Sequence, residues 1–136
     1  MDIAIVGATG NVGRKTLEVL QQKNLNIDNL YLVASPNSAG KQLEFNGKKY
    51  SIENLETYDF SKAKITFFAA GGKISEQYAE KAAKHTTVID NSSYFRMDPD
   101  VPLIVPQVNA KDIQNMKKNI IANPNCSTAQ LVLVLK

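Results

Sequence analysis

The sequence predicts an α/β protein: a doubly wound, mostly parallel sheet with helices on both faces. Three observations predict it. Short, continuous apolar runs recur along the 136 residues, amphipathic stretches separate them, and the first run enters a helix through glycines 7, 10 and 13. Strands covered on both faces lose the polar alternation of a half-exposed sheet, and parallel neighbours need helical crossovers.

The elements follow in chain order. Ile3 to Val6 is a short, β-branched strand, and Val12, Leu17, Val19 and Leu20 set an amphipathic helix ending near Lys23. Leu30 to Ala34 is a second buried strand. Asn46-Gly47, between the arms of "LEFNGKKYSI", signals a type I′ hairpin. Lys64 to Ala70 is a further strand ending in Gly71-Gly72, and Ile74 to Lys84 is a helix rich in Ala, Glu and Lys. Thr86 to Asp90, Leu103 to Pro106 and Asn119 to Asn123 read as strands, and an apolar helix begins at Cys126. Residues 1–136 form about one domain, with no internal repeat or long linker.

Composition excludes several classes of function. With 43% hydrophobic and 21% charged residues, the chain is globular rather than disordered. No apolar run approaches the ~20 residues that span a bilayer. A net charge of +3 without a basic stripe argues against nucleic acid and suits a phosphate-bearing small molecule. The single cysteine and the absence of a secretory pattern after Met1 fit a reducing, cytoplasmic setting.

Gly7, Gly10 and Gly13 form GxxGxxG between a strand and a helix, a spacing variant of the dinucleotide fingerprint. Such a turn needs a tight bend, close backbone approach to a pyrophosphate, and free N–H groups at a helix N-terminus. The context makes the fold Rossmann-like. Arg14 after Gly13 and the longer spacing exclude a P-loop. NAD sites carry Asp or Glu about 20 residues beyond the glycines. Here the second strand ends in "ASPNSAGK", with Ser35, Asn37, Ser38 and Lys41 and no acid, which favours NADP while leaving NAD open.

Cys126 follows Pro124 and Asn125 at a helix start, where unpaired N–H groups favour a thiolate. Ser127 or Thr128 is the expected cap, and the backbone amides there are candidates for an oxyanion hole. An inert cysteine at a strand-to-helix joint is the competing reading. A nucleophilic thiol beside a nicotinamide makes thioester formation coupled to hydride transfer possible, as in enzymes that make or use acyl phosphates. Arg96, in "DNSSYFRMDPDVP", suits a phosphate clamp, or is an ordinary surface arginine. The only histidine, His85, lies between a helix and the following strand, at the end away from a doubly wound crevice. The catalytic base is therefore missing from the chain.

The motifs together resemble the N-terminal part of the aspartate-semialdehyde dehydrogenases. "VGATGNVG", "ASPNSAGK", "FFAAGG", "DNSSYFRMDPDVPLIVPQVN" and "NPNCST" occur in that family's order across nearly the whole chain. The resemblance implies NADPH-dependent reduction of L-aspartyl 4-phosphate to the semialdehyde, with release of phosphate, in lysine, methionine and threonine biosynthesis. It implies Cys126 as nucleophile, Asn125 as carbonyl-positioning residue and Arg96 as phosphate ligand. It places Thr9, Gly10, Asn11, Val12, Ser35, Asn37 and Ser38 on the cofactor, with Gly71 at the strand end near the adenosine. NADP-dependent relatives commonly carry Arg where this chain has Asn37, which weakens 2′-phosphate recognition unless Lys41 or Arg14 compensates.

The resemblance also implies roughly 200 further residues. These would hold the histidine base, more substrate ligands, most of a dimer or tetramer interface, and a helix returning to this domain. Residues 1–136 are thus expected to be the cofactor domain of a longer enzyme, to bind NADP weakly and to lack turnover. They are also expected to expose apolar surface and self-associate. N-acetylglutamyl-phosphate reductases share the cofactor turn but show a "PGC"-type nucleophile segment. A non-catalytic NADP-binding module is the alternative of a different class.

Overall fold

The computed structural model describes residues 1–136. Seven strands form one sheet: β1 (Asp2–Val6), β2 (Asn29–Ala34), β3 (Gln42–Phe45), β4 (Lys48–Asn54), β5 (Ile65–Phe68), β6 (Thr87–Asp90) and β7 (Ile120–Ala122). Their order is β3-β4-β2-β1-β5-β6-β7, and every pairing is parallel except the β3-β4 hairpin. At the hairpin tip Asn46 and Gly47 both take positive φ, 50° and 74°, as a type I′ turn requires. The chain starts at the centre with β1, winds outward through β2 and β4, then returns to β5 on the other side. That reversal opens a crevice beyond the C-terminal ends of β1, β2 and β5.

Helix α1 (Asn11–Gln22) connects β1 to β2, and α2 (Gly72–Ala83) connects β5 to β6. They cover opposite faces, because successive side chains of a strand point to opposite sides. Ile3 and Ile5 of β1 pack with Leu17 and Leu20 of α1, whereas Ala4 and Val6 join Ala79 and Ala82 of α2. On the α1 side the cover is incomplete. Phe67, Ile89 and Ile121 are only half-buried, and Phe67 and Ile89 line a groove of about 400 Å³ beside Val12 and Val19. The last helix, α4 (Cys126–Leu135), exposes Leu131, Leu133, Val134 and Leu135. No helix is long and apolar enough to cross a membrane.

One expected strand does not form. In Leu103 to Pro106 the only pairing is an isolated bridge from Leu103 to Ala122. Pro102 and Pro106 bracket the segment and lack the N–H groups that would extend a ladder. Pro106 instead opens α3 (Pro106–Asn109). The Asn109 side chain accepts from the Val105 amide at 2.9 Å and donates to the Leu103 carbonyl at 2.9 Å, which closes the turn.

Candidate functional site

The glycine turn shows why each glycine stands where it does. Gly7 takes φ +85°, and a Cβ there would lie 2.7 Å from the Ala69 carbonyl oxygen. A Cβ on Gly13 would lie 2.2 Å from the Gly7 oxygen, so the first helical turn sits directly against the bend. Gly10 has looser surroundings, its nearest contact being the Gly7 oxygen at 3.4 Å. Packing therefore requires glycine at 7 and 13, whereas glycine at 10 keeps the backbone open to a ligand. Gly10 is the N-cap of α1, and no side chain caps the helix. The amides of Asn11, Val12 and Gly13 consequently have no intrahelical acceptor. The Arg14 Nε folds back to donate to the Thr9 carbonyl at 3.1 Å.

A cleft of about 490 Å³ begins at this turn. Gly7, Thr9 and Gly10 form its floor, Ser35 and Pro36 one rim, and Ala69 and Ala70 the other. Asn37 and Ser38 complete a 3-10 turn over Pro36–Ser38 just beyond the rim. Gly71, at φ +87°, is the uncapped N-cap of α2. The Val12 side chain points into the groove on the α1 face instead. The cleft with its paired, uncapped helix starts fits the pyrophosphate and adenosine of a dinucleotide.

Sequence reasoning missed the cleft's far wall. Ile74, Gln77 and Tyr78 line it from α2, and their i, i+3, i+4 spacing was the available signal. Leu55 and Glu56, just past β4, close it. The loop after β2 is free of carboxylates, as expected, but Glu56 brings one to the cleft from the turn after β4.

Cys126 is exposed as the first residue of α4. Its helix is capped by neither Ser127 nor Thr128. Asn125 Oδ1 accepts from the Ser127 amide at 2.8 Å and the Thr128 amide at 3.4 Å. An acceptor one residue ahead of the helix reaches both donors, whereas a side chain inside the first turn points away from them. These two amides are therefore engaged and cannot serve as the oxyanion hole expected there. The Asn125 Nδ2 makes no hydrogen bond within the chain.

Arg96 is half-buried rather than a free surface residue. Its Nε donates to the Asn123 carbonyl at 3.0 Å and its Nη2 to the Asn91 carbonyl at 3.1 Å. No carboxylate pairs with it, and its Nη1 makes no hydrogen bond within the chain. Asn123 precedes Cys126 by three residues, and its Nδ2 meets Asn91 Oδ1 at 2.5 Å. His85 lies exposed past α2, next to the N-terminal ends of the strands. Turn, rim, Arg96 loop and Cys126 segment thus all emerge from C-terminal strand ends, along one edge of the sheet.

Residues 2–116 match the family described as semialdehyde dehydrogenase, NAD binding domain. The aspartate-semialdehyde dehydrogenase of Aquifex aeolicus is 53% identical over 137 residues, covering 98% of this chain and 40% of that protein. The crystal structure of aspartate semialdehyde dehydrogenase II complexed with ASA from Vibrio cholerae superposes with a TM-score of 0.96 at 49% identity. That match covers 99% of this chain and 45% of the other. The Candida albicans enzyme, solved with NADP, gives a TM-score of 0.75 at 25% identity, over 100% and 46% of the two chains. The chain spans about 40% of the length of the curated relatives it matches.

Proposed function

This chain belongs to the semialdehyde dehydrogenase family of NAD-binding domains, and from that premise we propose its part in catalysis. Residues 1–136 act as the cofactor-binding, nucleophile-bearing domain of an aspartate-semialdehyde dehydrogenase. The substrates are L-aspartyl 4-phosphate and NADPH; the products are the semialdehyde, phosphate and NADP. One observation carries this reading: Arg96 is anchored to Asn123, three residues from Cys126, on the same sheet edge as the glycine turn.

The Cys126 sulfur attacks the acyl carbon of the acyl phosphate. A carbon–sulfur bond forms, the carbon–oxygen bond to phosphate breaks, and the free edge of Arg96 receives the departing phosphate. The Asn125 Nδ2 donates to the acyl oxygen. When bound, a nicotinamide cofactor would supply the hydride that reduces the thioacyl carbon; the carbon–sulfur bond then breaks, the semialdehyde leaves and the Cys126 thiolate is restored. The chain binds the cofactor through the open amides of Asn11, Val12 and Gly13 at the pyrophosphate, with Gly7, Thr9, Gly10 and Gly71 shaping the path. Ser35, Asn37 and Ser38, helped by exposed Lys41, hold the 2′-phosphate and make NADP the preferred dinucleotide over NAD. His85 takes no part, since it stands at the opposite end of the strands.

Fluorescence titration with NADPH and NADH tests the cofactor assignment. NADPH binds at least about tenfold more tightly, the equivalent of one charge-assisted contact to the 2′-phosphate. Equal affinities would retain the dinucleotide site but reject NADP, and no binding of either would reject the site.

A further inference from the structure

Asp90 is a buried acid that the chemistry above does not use. It ends β6 with 0% exposure, and no lysine, arginine or histidine pairs with it. An unpaired carboxylate in such a place is costly unless hydrogen bonds satisfy its oxygens. Here they do. Oδ1 accepts from Ser75 Oγ at 2.7 Å and from the Ser92 amide at 3.0 Å, while Oδ2 accepts from Ser92 Oγ at 2.7 Å. Ser92 Oγ in turn accepts from the Tyr94 amide at 3.1 Å. The Asp90 carbonyl accepts from the Asn123 amide at 2.8 Å.

A turn closed by Asp90 on Ser92 alone would be an ordinary local staple. The bond from Ser75 is different, because it crosses from α2, 15 residues earlier, and is buried at both ends. Asp90 thereby ties three elements together: α2, the loop leading to Arg96, and the end of β7. The two carbonyls that brace the Arg96 guanidinium belong to Asn91, next to Asp90, and Asn123, bonded to it.

We propose that Asp90 is the positioning residue of the anion site: its carboxylate fixes the end of β6 to α2 and to the Ser92 turn, and its backbone carbonyl, held in place by that clamp, carries Asn123, so that Arg96 presents one fixed edge to phosphate. This rests on Arg96 being the phosphate ligand. The negative charge strengthens these bonds beyond what a neutral group of that shape supplies. An asparagine in its place donates its Nδ2–H to the remaining lone pair of Ser92 Oγ, so that link reverses direction, and the two serine hydroxyls and the Ser92 amide lose their charged acceptor.

The test uses D90N and S75A in this chain, with inorganic phosphate as the probe at matched ionic strength. Phosphate protection of Cys126 from iodoacetamide, NADPH affinity and melting temperature are read on each. D90N raises the phosphate concentration for half-protection by about tenfold, as the hydrogen bonds from Ser75 and Ser92 lose their charged acceptor. S75A, which cuts only the tie to α2, raises it about threefold by part of the same effect. NADPH affinity stays within about twofold in both, because neither side chain lines the cleft. General loosening would weaken both ligands together and would contradict the proposal. Wild-type protection with both variants within twofold would overturn the role of Asp90 alone. No protection of the wild type would overturn the Arg96 assignment and this inference with it. Should D90N fail to fold, S75A decides the matter.

Discussion

Replacing Gly13 with alanine puts the packing of the glycine turn to a quantitative test. In an exposed helix the change would stabilise by about 1 kcal/mol, because alanine loses less backbone entropy. Here the new methyl would sit 2.2 Å from the Gly7 oxygen, 2.8 Å from the Ala8 Cα and 2.9 Å from the Gly7 carbonyl carbon. A carbon and an oxygen in contact keep about 3.3 Å apart, so turn and helix must separate by about 1 Å. All three neighbours are backbone, so no side chain can swing away. Overpacking costs about 1–3 kcal/mol, and a clash with fixed backbone belongs at the upper end. After subtracting the helix gain, the net loss is about 2 kcal/mol. For a chain of 136 residues this lowers the melting temperature by about 6–10 °C. Gly72→Ala is the control, since a Cβ there meets nothing within 4 Å. Circular-dichroism melts with and without NADPH would show G13A destabilised and poorly stabilised by cofactor, with G72A as stable as the wild type or up to about 1 kcal/mol more so. A G13A protein melting at or above the wild-type temperature would refute the reasoning.

Gly10→Ala should separate binding from folding. Its nearest protein contact would be 3.4 Å, so stability shifts by less than about 1 kcal/mol. NADPH affinity should nevertheless fall at least fivefold, about 1 kcal/mol, as read by fluorescence titration. Asn125→Ala removes both cap bonds of α4 and should destabilise that helix by about 1 kcal/mol, seen as faster hydrogen exchange of its first-turn amides. Lys118→Met addresses pH dependence. The Lys118 ammonium, and next the Asp100 amide, hold the Asp98 carboxyl below the usual carboxylate range; Asp98, then Glu80, push Lys118 above the usual lysine range. Asp98 contributes stability above the unfolded value of about 3.9 and loses it as pH falls through its lowered folded value. Lys118 contributes below about 10.4 and loses it as pH rises through its raised value. The wild type should therefore exceed K118M in denaturant midpoint across that window, with the gap closing on both sides. A gap independent of pH would reject the ion pairs as its source.

Much of the architecture is legible locally. β1, β2 and β5 are apolar at consecutive positions because each face meets a different helix, and Asn46-Gly47 announces its own turn. The glycine turn could be recognised from spacing, but the separate duties of Gly7, Gly10 and Gly13 depend on where Ala69 and the Gly7 oxygen lie. Other features are set by partners distant in the chain. Nothing around Leu103 reveals that Asn109 will fold back on it. Nothing around Arg96 reveals the carbonyl of Asn123, 27 residues on. The cap of α4 is Asn125 rather than the expected Ser127 or Thr128 because Asn, Ser and Thr are all good caps, and only the backbone path selects among them. The buried clamp at Asp90 is hidden for the same reason: Ser75 meets Asp90 only when α2 lies on β6.

The central claim is that Cys126 is an acyl-accepting nucleophile served by Arg96. Mixing this chain with L-aspartyl 4-phosphate, quenching in acid and mapping the adduct by mass spectrometry tests it most directly. The account predicts one aspartyl thioester on Cys126, sensitive to hydroxylamine, with equimolar phosphate release, and strongly slowed in Arg96→Leu. No adduct on a folded chain, or an adduct on Cys126 formed equally fast without Arg96, would contradict it.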